Sequence, residues 1–163
     1  MKKKSTKKTI IVIRGKSNCG KTKTMIKVFN MLCSHSNSTV FIQERTPRSV
    51  LAAITIDKIR IGIEITKSST GKILKQNAIE TFATTDKESE WFDPNLSKCS
   101  IIVCTSRTEG VTVNEIKRVA RIHGYRTVWR STYITKDIRY GLINGIAAKE
   151  ITSFINEIMI NKL

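Results

Sequence analysis

Eight consecutive residues, Gly15-Lys16-Ser17-Asn18-Cys19-Gly20-Lys21-Thr22, carry two glycines, a lysine and a hydroxyl at the spacing G-x-x-x-x-G-K-[ST] of a phosphate-binding loop. The chemistry needs each of them. The glycines let the backbone wrap closely, so that successive N–H groups and a helix N-terminus point at one anion. Lys21 brings a cation to the β- and γ-phosphates. The Thr22 hydroxyl offers an oxygen to Mg²⁺, which favours oxygen ligands and shares itself with phosphates. The pattern predicts a nucleoside triphosphate with Mg²⁺, held by Gly15 to Thr22. Thr24, just beyond, is counted with these cofactor-binding residues.

Such a loop works only between a strand and a helix, and the flanking residues predict both. Thr9-Ile10-Ile11-Val12-Ile13 is a short β-branched apolar run, as in a strand buried on both faces. After the loop Met25, Val28, Phe29 and Leu32 recur at helical spacing, with Ile26 beside them and Lys23 and Lys27 on the other side. Further on, Thr39–Ile42 reads as a strand ending at Gln43-Glu44-Arg45 and Pro47. Val50–Ile56 and Ile59–Ile65, separated by Asp57-Lys58, read as a hairpin. Lys67–Lys72 is a polar loop, Ile73–Phe82 a helical stretch, and residues 84–97 an acidic loop around Trp91 and Phe92, a lid or a spacer. Ser100–Val103 reads as a buried strand, and Thr112-x-x-Glu115 as a capping box opening a helix that ends at Gly124. Thr127-Val128-Trp129 is the last strand. The closing helix packs through Ile151, Phe154, Ile155 and Ile158. Alternating strands and helices predict an α/β fold, a three-layer sandwich on a mostly parallel sheet with one antiparallel hairpin strand. Ligands of such sheets bind at the carboxyl ends of the strands.

The 163 residues suit one domain, residues 9–163, preceded by a disordered basic arm, Met1–Lys8, in which five of eight residues are Lys. No apolar run approaches the length of a membrane span, so a soluble, cytoplasmic protein without membrane contact is expected. Cys19, Cys33, Cys99 and Cys104 lack the spacing of a zinc site, and Cys99 and Cys104 read as small core residues at either end of a strand. The net charge is +16, and +11 without the five arm lysines. Such a field attracts polyanions, so DNA or RNA is a candidate partner through the basic surface, including the helical face of Lys117, Arg118 and Arg121. Abundant Ile and Lys throughout give the competing explanation, a biased composition.

The element order, with a hairpin between the first helix and the next strand, resembles that of small GTPases. The Asn-Lys-x-Asp motif that reads guanine is replaced by Thr105-Ser106-Arg107-Thr108-Glu109-Gly110, so ATP is the expected nucleotide. The chain is also similar to small P-loop ATP-binding proteins of bacteria and their phages. The likeness rests on the phosphate loop, on Gly62-Ile63-Glu64 and on Cys104-Thr105-Ser106-Arg107-Thr108-x-Gly110-x-Thr112-Val113. That resemblance implies a P-loop NTPase fold and an acidic metal-orienting residue soon after the hairpin. Ser68-Ser69-Thr70 stands there instead, which leaves Glu64 as the nearest carboxylate to join Thr22 on the metal. Glu44 with Arg48 resembles the acid and arginine that follow this strand in polynucleotide kinases, which makes Glu44 a candidate base. Arg107, at the carboxyl end of a central strand, completes a catalytic set with Lys21 and Glu44. Three functions stay open: an ATP-dependent phosphotransferase acting on a nucleotide or nucleic-acid hydroxyl, a regulatory or nucleic-acid-stimulated NTPase, and a nucleic-acid-binding protein with a vestigial nucleotide site.

Overall fold

The computed structural model describes residues 6–15, 20–35, 37–46, 49–66, 80–82, 98–106, 108–132 and 139–160. The apolar run before the loop is strand β1 (Thr9–Arg14), with Ile10, Ile11, Val12 and Ile13 all at 2% exposure or less. Then come α1 (Lys21–Cys33), β2 (Ser38–Thr46), β3 (Ser49–Ile56), β4 (Ile59–Thr66), β5 (Glu80–Phe82), β6 (Ile101–Ser106), α2 (Val111–His123), β7 (Arg126–Ser131) and α3 (Tyr140–Met159). The strands form one sheet in the order β5-β2-β3-β4-β6-β1-β7. β3 runs antiparallel to β2 and β4, and the remaining pairings are parallel. The fold class is therefore α/β with a mixed, mostly parallel sheet.

Because side chains alternate along a strand, β1 feeds both faces of the sheet. Ile11 and Ile13 join Met25, Val28, Phe29 and Leu32 of α1 and Ala148, Ile151, Ile155 and Ile158 of α3. Ile10 and Val12 point the other way, to Ile116, Val119 and Ala120 of α2 and to Tyr125. Two helices thus cover one face and one helix the other. The helical spacings expected for the first and last helices hold, with Phe154 packed at the edge of the larger cluster.

The hairpin turns at Asp57-Lys58 with φ of 49° and 68°, both left-handed, as a two-residue turn between right-twisted strands requires. α2 ends as expected on Gly124, φ 71°, whose N–H donates to the Ala120 carbonyl.

Several expectations are corrected. Glu80–Phe82, expected as the end of a helix, is a strand parallel to β2, with Phe41 opposite Glu80; residues 73–79 lie outside the described residues. Edge pairing along β2 outweighs a short local helical pattern here. β2 runs on through Gln43, Glu44 and Arg45 to Thr46, so Glu44 lies within the strand and not beyond it. α2 starts one residue before Thr112, on Gly110 with φ 103° and without a side-chain cap. Glu115 instead accepts two hydrogen bonds from Arg118, which lower its pKa. The basic arm ends short of Lys8. The Arg126 N–H donates to the Lys8 carbonyl, Lys8 Nζ donates to the His123 carbonyl, and the ammonium sits 4.5 Å from the Tyr125 ring centre. Residues 1–5, the polar loop at 67–72 and the acidic loop at 84–97 lie outside the described residues.

Cys99 and Cys104 are core residues, each 1% exposed. Burial pushes the Cys99 thiol up to about 11, against the opposing pull of Arg60 and Lys8. Burial and then the Glu64 charge push Cys104 well up too. In the unfolded chain such thiols ionise first, near 9.0. The stability they contribute is therefore complete below that pH and lost as pH rises through about 11. Urea midpoints in reducing buffer should fall above about pH 9, by at most about 1.4 kcal/mol per pH unit per thiol. Cys99→Ala should make the fall shallower; an equally steep fall would show that Cys99 ionises alike in both states.

Candidate functional site

The carboxyl end of β1 is clamped by both neighbouring strands. The Gly15 N–H donates to the Ser106 carbonyl of β6 at 3.2 Å, and the Thr132 N–H, just past β7, donates to the Arg14 carbonyl at 2.9 Å. Gly15 is buried between them. The chain next re-enters regular structure at Gly20, which precedes α1 with φ 83° and ψ 10°. Lys16, Ser17, Asn18 and Cys19, four of the residues expected to bind phosphate, lie outside the described residues.

The loop ends are joined by Lys21, whose Nζ donates to the Gly15 carbonyl at 2.7 Å. The first residue of the helix thus reaches back over the loop to its start. α1 opens without a side-chain cap and without an acidic residue in its first turn, which instead contains Lys21 and Lys23. Cations at the positive end of a helix are unfavourable unless an anion offsets them. Thr22, next in line, is half-buried.

Thr24 is 2% exposed, and its Oγ1 donates to Asn144 Oδ1 of α3 at 3.4 Å, so its side chain faces the helix–helix contact. Helical periodicity is the reason: Thr24 lies one turn after Gly20, on the side of α1 that α3 covers.

Of the other predicted residues, Glu64 follows Ile63, which is in register with Val103 of β6 and, through it, with Ile11 of β1. Glu64 lies on β4, half-buried, and β6 stands between β4 and β1. Its charge is felt by Cys104 on β6. Glu44 is on β2, with β3, β4 and β6 between it and β1, and its side chain, like Arg48 and Arg107, is outside the described residues. Among the described residues no three His, Cys, Asp or Glu side chains are grouped to hold a metal ion. Lys117, Arg118 and Arg121 are exposed on α2, with Arg118 paired to Glu115.

Sequence reasoning missed Asn144. It is 3% exposed, and a Cβ built on Gly20 would lie 2.5 Å from Asn144 Oδ1 and 3.0 Å from Nδ2. The signal was present: counting back from Ile158, Ile155, Ile151 and Ala148 at steps of three and four, Asn144 is the polar member of an apolar stripe. Arg14 was missed too. It ends β1 on the α2 face, half-buried, with Nε out of solvent and without a hydrogen-bond partner.

Comparison of the chain with protein-family models, curated proteins and solved structures gives no match. Among the described residues no helix is long and apolar enough to cross a membrane.

Gly20 is required twice, by its left-handed φ and by contact with Asn144. Gly124 has φ 71° with open space at its Cβ and isolates the backbone contribution. Gly20→Ala should cost about 2–4 kcal/mol and Gly124→Ala about 1 kcal/mol in urea unfolding. Equal losses would show that α3 yields to a methyl group at Gly20.

Proposed function

We propose that this chain binds Mg-ATP at the loop between β1 and α1 and transfers its γ-phosphoryl group to a hydroxyl of a nucleotide or nucleic acid. One observation carries the reading: Lys21 begins α1 and reaches back to the Gly15 carbonyl across a loop of phosphate-binding sequence. A lysine so placed exchanges a neutral carbonyl for the β- and γ-phosphate oxygens when nucleotide enters, a stronger, charge-assisted contact. In this reading the N–H groups of Gly20, Lys21 and Thr22 hold the β-phosphate, and the Thr22 hydroxyl takes a position on Mg²⁺. Glu64 would be the carboxylate nearest to Thr22's side of the metal in this reading, orienting Mg²⁺ on the phosphates. Arg107, the residue after β6, would neutralise charge on the transferred group, and the acceptor hydroxyl would lose its proton to solvent, since Glu44 on β2 stands too far from β1 to take it. The acceptor oxygen bonds to phosphorus as the bond to ADP breaks. The α/β sheet supports a ligand at this edge, because loops at the carboxyl ends of parallel strands are where such folds bind. The charge of +16 and the exposed Lys117 and Arg121 support a polyanionic acceptor.

A second reading, a regulatory NTPase with slow turnover, is favoured by the strands beside β1. They end in Thr105 and Ser106 on one side and Ser131 and Thr132 on the other, hydroxyls where fast phosphoryl transfer wants a carboxylate. Incubation with γ-labelled ATP and a panel of nucleosides, nucleotides and oligonucleotides separates the two. Label should appear on an acceptor hydroxyl; label released only as inorganic phosphate favours the NTPase.

Lys21→Ala should abolish triphosphate binding and any turnover while leaving the urea midpoint within about 0.5 kcal/mol of the unmodified protein. Unchanged ATP affinity in calorimetry would falsify the site.

A further inference from the structure

We propose that Asn144 is a positioning residue for the phosphate-binding loop: its amide, supplied by α3, fixes Gly20 and the first turn of α1 and so sets the affinity for the β- and γ-phosphates. The proposal rests on the reading of this loop as a triphosphate site.

Asn144 occupies a position that packing alone would give to an apolar residue. It is 3% exposed, within the stripe that continues through Ala148, Ile151, Ile155 and Ile158. A buried amide is costly unless its polar atoms are used. Here only one end is used: Oδ1 accepts from Thr24 Oγ1, while Nδ2 is out of solvent without a hydrogen-bond partner.

The amide touches both ends of one helical turn. Its atoms lie against Gly20, at the loop's end, and bond to Thr24 four residues on. Those two residues are themselves joined by the first helical hydrogen bond, from the Thr24 N–H to the Gly20 carbonyl at 3.0 Å. This is the turn whose N–H groups would face phosphate in that reading. With α3 held by its own apolar stripe, Asn144 transmits a rigid reference from the core to the place where an anion is held. The spare Nδ2 donor lies against Gly20. Displacing this turn by a fraction of an ångström would misaim several N–H groups at once, so the amide acts on affinity beyond its own hydrogen bond.

Asn144→Leu separates positioning from packing, since leucine has a similar volume and removes the unsatisfied donor. Asn144→Asp keeps the acceptor for Thr24 and replaces the donor by a second acceptor. Both should weaken Mg-ATP binding in calorimetry by about tenfold or more, the factor that about 1.4 kcal/mol makes. The Asn144→Leu urea midpoint should be unchanged or raised. A folded Asn144→Leu protein with unmodified affinity overturns the proposal and leaves the triphosphate site standing. Failure of the unmodified protein to bind Mg-ATP, or binding indifferent to Lys21→Ala, overturns the triphosphate reading and this proposal with it. If neither Asn144 variant folds, hydrogen exchange on the unmodified protein decides. Mg-ATP should slow exchange in residues 141–148 of α3 as well as 21–25 of α1; protection confined to 21–25 overturns the proposal.

Discussion

A loop that binds phosphate has to expose its own N–H groups, and it keeps them exposed only if its two ends are held apart by the rest of the protein. Everything near Gly15 and Gly20 answers that constraint. The near end is fixed by the ladder hydrogen bonds from Gly15 to Ser106 and from Thr132 to Arg14. The far end is fixed by α3, through Asn144 against Gly20 and Thr24. Lys21 spans the gap to the Gly15 carbonyl. The hydrophobic clusters on both faces of β1 supply the rigidity behind these contacts, because close-packed side chains do not yield continuously to small displacements.

Much of this was legible in the sequence where a local pattern had one structural meaning. The unbroken run Ile10–Ile13 could only be buried on both faces, and the helical spacing of Met25, Val28, Phe29 and Leu32 could only face a core. Asp57-Lys58 between two β-branched runs left room for little but a hairpin turn. What local patterns do not encode is which strands become neighbours. The placement of β6 between β4 and β1 is a long-range choice, and it decides how far Glu64 stands from the loop. Glu80–Phe82 became a strand for the same reason, since β2 offered it an edge. The side chain of Thr24, a residue next to the motif, is turned by helical geometry toward α3.

The electrostatics divide between the two faces. Fixed pairs consume some of the positive charge: Arg130 with Glu150 ties β7 to α3, and Arg118 with Glu115 lies along α2. Exposed ion pairs of this kind contribute little to stability. Lys21 and Lys23, by contrast, stand at a helix end that repels cations, an arrangement with a physical rationale only if an anion joins them. The distribution of charge at this helix end supports the proposed anionic ligand.

The most direct test is a crystal structure with Mg²⁺ and a non-hydrolysable ATP analogue. The β-phosphate should lie about 3 Å from the N–H groups of Gly20 and Lys21, with Lys21 Nζ moved from the Gly15 carbonyl onto phosphate oxygens. A nucleotide bound elsewhere, with Lys21 still on Gly15, would contradict the account.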